Sequence, residues 1–328
     1  MTRHCGERWR SLLVAFALLL LAGIVHAQRS DPVRRIAFLG MDSGMQATRI
    51  AAFRDEMRKL GYAEGGNLVI ETRWAQGRFD RLPALAEEIV ALKPEVIVTA
   101  APPPVSALQK ATKTIPIVMS VHNPVGRAFV ASLAHPGGNI TGIAFQDSDL
   151  SVKRLDLLRS VVPNLTRVAI VWNQEGGGID AVKAVERAAG SMNIATRAFE
   201  VRGPTDLPKA VADAKAWGAQ GLVQLASPVI TFHRKALLEA LAANRMPASC
   251  EMRLYVEEGC LMTYSADLNM MFRGMAAIAV RILKGTKPAD IPLQQPREFD
   301  FVINLNTAEA LGLAIPPLVQ IQMTDRIQ

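Results

Sequence analysis

From Arg35 onward, short apolar runs alternate with stretches whose apolar residues recur at helical spacing. The run "IAFLG" is followed by the polar loop "MDSGM" and then by "ATRIAAFRDEMRKLGY". Ile50, Phe53, Met57 and Leu60 fall there on one face, and Gly61 marks the helix end. A strand-like "NLVIETRW" completes a β-α-β unit, which continues through a helix over 81–92, a buried strand "EVIVTA", a helical "VSALQKAT" and the short strand "IPIVMSV". Apolar runs without internal alternation, separated by amphipathic helices, describe a parallel sheet covered on both faces.

After "HPGGNITGIAFQ" the scheme restarts with "TRVAIVW", a glycine-rich loop, the helix "DAVKAVERAAGSM" and the strand "IATRAFEVR". It proceeds through a helix over 206–217, the strand "GLVQLA", a helix "HRKALLEALAANR" and the strand "MPASC". The pattern therefore predicts an α/β protein of two doubly wound parallel-sheet lobes in tandem. The last quarter supplies the strand "LMTY", an amphipathic helix over 270–284, the strand "FDFVINL" and the helix "TAEALGL". One helix and two strands cannot bury a core of their own, so they complete the earlier sheets. The chain then crosses between lobes about three times. The expected division is residues 34–144 with about 266–296 in the first lobe, and 145–265 with about 297–328 in the second.

Composition changes this picture in three places. The chain has 328 residues, half of them hydrophobic, enough for two cored lobes. Residues 1–27 are set apart: Arg3, Arg8 and Arg10 precede a 14-residue apolar block that closes on Val25-His26-Ala27. That is the pattern of a cleavable signal peptide, and the block is shorter than the roughly 20 residues a membrane span needs. The expected compartment is the periplasm. Without that segment the net charge falls from +7 to +5, with 34 basic against 29 acidic residues. The charges intermix, as in "RDEMRK" at 54–59, so no basic stripe for nucleic acid is present. The two remaining cysteines, Cys250 and Cys260, would hold a bridge in an oxidising compartment. If Cys250 ends one strand and Cys260 begins the next parallel one, however, they lie at opposite ends of the sheet, beyond the ~7 Å Cα limit. Two buried thiols are the favoured expectation.

In open parallel sheets, ligands bind beyond the carboxyl ends of the strands, where helix N-termini also present free N–H groups. Two such edges facing each other make a cleft, and several chain crossings at its base make a hinge. Strand ends therefore supply the candidate ligand-binding residues. In the first lobe these are Met41, Asp42 and Ser43 after the first strand, Ala101 and Pro102 after the third, and His122 and Asn123 after the fourth. Gln146 and Asp147 follow the first crossing. In the second lobe they are Trp172, Asn173, Ser227, Glu251, Tyr264 and Asp267. Asp42 with Ser43 suits an amino acid zwitterion, although simple helix capping explains either residue alone. Trp172 either stacks on an apolar ligand or packs under the next helix. Asp267 and Glu251 are the candidates for an ammonium group.

Catalytic constellations are not visible. His122, His135 and His233 lack metal-ligand spacing, no G-x-S-x-G elbow occurs, and Gly176 to Gly178 lack both a Walker lysine and a dinucleotide fingerprint. No metal or cofactor is expected.

The segments "GNLVIETRWAQGRFDRLPALAEEIV", "IPIVMSVHNPVG", "SLAHPGGNITGI", "KRLDLLRSVVPNLTRVAIVWN" and "QQPREFDFVINLNTAEALGLAIPP" resemble the solute-binding subunits of ABC importers. The resemblance runs from about Arg35 to Pro317. It implies the type I periplasmic-binding-protein fold, an ABC permease in the inner membrane as partner, and a small-molecule solute, since this branch includes binders of aromatic or branched amino acids. Three positions depart from the branch: Asn123 stands where an aspartate is common, "APPP" at 101–104 where small or glycine-rich residues are common, and Cys260 where glycine is usual. The expectation is thus a monomeric, non-enzymatic periplasmic receptor that captures an amino acid or similar solute by hinge closure. The rival expectation is a secreted enzyme or sensor-partner protein on the same scaffold.

Overall fold

The computed structural model describes residues 32–145, 147–174 and 178–328; the expected signal segment 1–27 and the candidate Gln146 lie outside the described residues. Among them are two open sheets. The first holds β1 (Arg34–Gly40), β2 (Leu68–Trp74), β3 (Val96–Ala100), β4 (Ile117–His122) and β5 (Ile140–Phe145), all parallel, in the order β2-β1-β3-β4-β5. Helix α1 (Ser43–Lys59) covers one face, and α2 (Leu82–Ala91) and α3 (Pro102–Ala111) cover the other. The inner strands β1, β3 and β4 are buried on both sides, as their apolar runs require, while the edge strand β2 is partly exposed.

The second sheet repeats this topology. Here β6 (Arg167–Trp172), β7 (Ala195–Glu200), β8 (Gly221–Gln224), β9 (Ala248–Cys250) and β10 (Met262–Ala266) stand in the order β7-β6-β8-β9-β10. Helices α4 (Asp147–Val161) and α5 (Gly178–Ser191) lie on one face; α6 (Asp206–Ala216), α7 (Pro228–Phe232), α8 (Arg234–Ala243) and α9 (Arg253–Glu257) lie on the other. The alternating pattern missed β5, α4, α7 and α9. The last two have five residues each, too few for a helical period to show.

The C-terminal quarter shuttles between the sheets. Helix α10 (Leu268–Leu283) packs on α1, burying Met271, Phe272, Met275 and Ile278 in the first core. The chain then returns as β11 (Phe299–Asn304), followed by α11 (Leu305–Leu311), α12 (Pro317–Gln322) and the edge strand β12 (Asp325–Ile327). Because it re-enters the second sheet from the side where β10 leaves, β11 runs antiparallel to β10, unlike the strands before it. Three crossings, after β5, after β10 and before β11, join the two halves. They are also tied laterally: Gln294 exchanges backbone hydrogen bonds with Gly142 and Ala144 on β5.

Cys250 and Cys260 form a disulfide, with Cα atoms 6.6 Å apart, correcting the expectation of two thiols. Cys250 ends β9, and the short helix α9 folds the chain back so that Cys260 returns within bridging distance of it. Cys260 also precedes β10 in a turn, where its N–H donates to the Tyr255 carbonyl at 2.8 Å.

Candidate functional site

The carboxyl edges of both sheets border one cavity of about 150 Å³. Lobe one contributes the ends of β1, β3, β4 and β5 with the first turns of α1; lobe two contributes the ends of β8, β9 and β10 with α7. Seven candidate positions line it: Met41, Ala101, Pro102, His122, Asp147, Ser227 and Glu251.

The other described candidates lie elsewhere, each with a local task. Asp42 caps α1, its Oδ1 accepting the Met45 N–H at 2.9 Å, and the exposed Ser43 accepts from Gln76. Asn123 adopts φ 47° and accepts the Gly126 N–H, which turns it out of the cleft into its own loop. Trp172 packs into the core beneath α5, and the Asn173 amide donates to the Val201 carbonyl at 2.7 Å. Tyr264 stacks on Phe299, with rings 5.6 Å apart and nearly coplanar. Asp267 caps α10 by accepting from Asn269 and Met270. Trp172 and Asn173 miss because the cavity sits over β8, β9 and β10, displaced from β6, whose end was expected to face it; the others are taken up by the local caps, turns and ring contacts just described.

Sequence reasoning missed Gln46, Arg49, Arg154, Phe145, Thr231 and Phe232, all of which line the cavity. Gln46 and Arg49 lie one turn apart on α1, within a stretch read only for its apolar face. The spacing of two polar residues three apart at a helix start beside a strand end was the available signal.

Backbone strain is concentrated at one rim position. Ala101 has φ 76° and ψ 149°, a region that suits glycine, and the three prolines that follow begin α3. Its N–H donates to the Ser120 carbonyl, which holds the turn against β4.

The charged floor is built around Arg154, which is 2% exposed. Its NH1 meets Asp147 Oδ1 at 3.2 Å and Ser151 Oγ at 3.1 Å, while Nε and NH2 donate to the Tyr264 and Glu251 carbonyls. One guanidinium thereby ties α4 to the ends of β9 and β10. Asp147 also accepts weakly from the Ala226 N–H.

Glu251 stands beside this pair. Its carboxylate accepts from the Ser227 N–H at 3.2 Å, from the Tyr255 hydroxyl at 3.3 Å and from Thr231 Oγ1. Burial pushes its pKa up to about 7, with the Asp147 charge adding and the Thr231 hydrogen bond and Arg154 charge opposing. A raised carboxyl pKa means the fold favours the protonated form. Its contribution is thus fully present below the ordinary value near 4.5 and is lost as pH rises through about 7. We expect ligand-free protein to lose at most about 3 kcal/mol across that window. In Glu251→Gln this slope should vanish whatever constant offset the amide introduces. Denaturant unfolding of both proteins between pH 4.5 and 8 measures it, and parallel pH profiles would refute the assignment.

Much of the remaining wall is apolar, with Met41, Val121, Phe145, Leu150, Met252 and Phe272, and Gln46, Arg49 and His122 add polar groups from the first lobe. Among the described residues no group of three metal-ligating side chains occurs.

Paired α/β lobes that share a five-strand order, meeting over a cavity at their carboxyl edges, define a two-lobed binding protein of the type I periplasmic-binding fold. The chain belongs to the ABC transporter substrate binding protein family, whose model matches residues 36–326. It is 24% identical over 270 residues to a tyrosine-binding protein of Clostridioides difficile, covering 80% of this chain and 75% of that one. It is similar in structure to an ABC domain from Streptococcus pneumoniae in complex with L-Trp, with TM-score 0.83 at 21% identity, covering 90% of this chain and 99% of that one. A substrate-binding protein of Clostridium difficile in its ligand-free, open form superposes less well, with TM-score 0.71 at 20% identity over the same shares.

Proposed function

We propose that this protein captures an amino acid with an aromatic or branched side chain in the interlobe cavity, closes around it by hinge motion, and presents it to the permease of an ABC importer. It acts as a monomer in the periplasm, after removal of residues 1–27, and by binding rather than turnover. The division into residues 34–144 with about 266–296, and 145–265 with about 297–328, is the pair of bodies that moves. Among the described residues no helix is long and apolar enough to cross a membrane.

The observation that carries this reading is the cavity itself: a largely apolar wall lies beside charged and polar groups, and both lobes contribute. An amphiphilic solute with a charged head and an apolar tail fits that division. The names of two relatives, one tyrosine-binding and one holding L-Trp, favour amino acids over sugars. At nearly equal identity, the higher structural similarity to the ligand-bound relative than to the open one supports reading this conformation as closed. Met41, Ala101, Pro102, His122, Asp147, Ser227 and Glu251 are the contacts proposed among the sequence candidates.

Closure is driven by the solute's differential affinity for the closed form. Thermal-shift titration with L-tryptophan, L-tyrosine and L-leucine should give stabilisation of about 2.7 kcal/mol at a hundredfold excess over Kd. Small-angle scattering with the strongest binder should show a smaller radius of gyration. Tight binding without compaction would remove hinge closure, and consumption of the bound solute would favour an enzyme.

A further inference from the structure

Helix α1 carries a cation that the fold leaves almost unused. Arg49 is partly buried and lines the cavity. Burial lowers its pKa to about 10, with the Glu251 carboxyl opposing the shift, so it remains charged at neutral pH. Among the described residues its one hydrogen-bond partner is the Met252 sulfur on the facing lobe, 3.4 Å away, and no carboxylate pairs with it. A thioether is a weak acceptor for a fork of five donors. The contrast with Arg154 is direct, since that guanidinium is satisfied by a carboxylate, a hydroxyl and two carbonyls.

A second side chain repeats the pattern. Gln46, one turn earlier on the same helix, is 5% exposed, and its buried Oε1 has no hydrogen-bond partner. Both residues line the same cavity. Buried polar groups without partners destabilise a fold, so their presence together calls for something that completes them. The acidic residues nearby are already engaged: Asp147 with Arg154, and Glu251 with Ser227, Thr231 and Tyr255. The missing partner of Arg49 is therefore an anion brought by the solute, and that of Gln46 Oε1 is a donor on the same solute.

Building on the amino acid reading above, we infer that Arg49 receives the solute's carboxylate in a forked ion pair, with Gln46 beside it taking a donor of the same head group. The cavity then selects free carboxylic acids with an apolar body and rejects the amides and decarboxylated amines of that body. Two parallel N–H···O bonds would give the orientation, and an analogue without the carboxylate would leave the guanidinium desolvated and unpaired.

The test uses Arg49→Met in the full chain, with L-tryptophan, L-tryptophanamide, tryptamine and indole-3-propionate as calorimetric probes. The wild type should prefer L-tryptophan over L-tryptophanamide and tryptamine by about a hundredfold or more, and should bind indole-3-propionate more tightly than tryptamine. The variant should bind acid and amide within about threefold. Ligand-free Arg49→Met should melt at or above the wild-type temperature, because an unpaired buried charge has been removed. A variant that melts several degrees lower would make Arg49 a structural residue and overturn the inference. So would a wild type that binds the amide as tightly as the acid. If none of the four probes binds, the amino acid reading fails separately, and a thermal-shift series of aliphatic and aromatic monocarboxylates with their amides decides the matter. Acid-specific stabilisation lost in Arg49→Met would sustain the carboxylate assignment, and no stabilisation by any acid would end it.

Discussion

Gly77→Ala should weaken solute binding by about ten- to a hundredfold, or roughly 1.4 to 2.8 kcal/mol, while leaving a folded protein. Gly77 lies in the turn after β2, on the first lobe, with its N–H bonded to the Met41 carbonyl. It faces Phe232 of α7 on the second lobe so closely that an added Cβ would fall 1.9 Å from the ring. The ring also meets His233 edge-on, with 5.0 Å between centroids. An alanine therefore forces the lobes apart at the rim of the cavity. Its left-handed φ of 74° adds a cost of about 1 kcal/mol in every state, which lowers the melting temperature but does not by itself distinguish open from closed. The double variant Gly77→Ala/Phe232→Ala separates the two effects. Calorimetry should show affinity partly restored when the ring is removed, although the strained alanine remains. Undiminished affinity in the single variant would mean that the two lobes need not meet here when solute is bound.

The second large effect concerns stability. Arg154→Met should cost about 3 to 5 kcal/mol, because it leaves the Asp147 carboxylate buried at 3% exposure without its counter-charge. Two carbonyls, those of Tyr264 and Glu251, lose their donors as well. Since these carbonyls belong to the ends of β9 and β10, Glu251 should also shift, and solute affinity should fall with stability. The further change Asp147→Leu removes the stranded charge, and urea unfolding of Arg154→Met/Asp147→Leu should recover much of the loss. If the single variant unfolds within about 1 kcal/mol of wild type, the pair contributes little and water reaches it in solution.

The two arguments rest on features of different legibility. The duplicated α/β pattern was readable because an apolar run buried on both faces and a helix with one apolar face leave distinct periods. Seven of the candidate site positions fell on the cavity for the same reason: a strand end in an open parallel sheet has few places to point. Arg154 and Phe232 were not readable. Arg154 sits in a helix the pattern missed, and beyond Ser151 and Asp147 on that helix its partners are 97 and 110 residues away along the chain. Nothing local records such a contact.

The disulfide and Asp267 show the reverse failure, in which a local rule was applied at the wrong scale. Cys250 and Cys260 were placed at opposite ends of the sheet, but the chain between them folds back through α9 and brings them together. Asp267 follows a strand end, as expected, but its carboxylate is consumed by the first turn of α10.

By itself, the amino-acid sequence determined two sheets of like topology, the helices that cover them and the edge along which a ligand would lie, because periodicity and burial are properties of neighbouring residues. Which strand ends meet, how far the cavity is displaced toward β8, β9 and β10, and which charges are left unpaired were decided only by the packing of one lobe on the other. Those outcomes depend on distances between residues remote in the chain, and no stretch of sequence carries them.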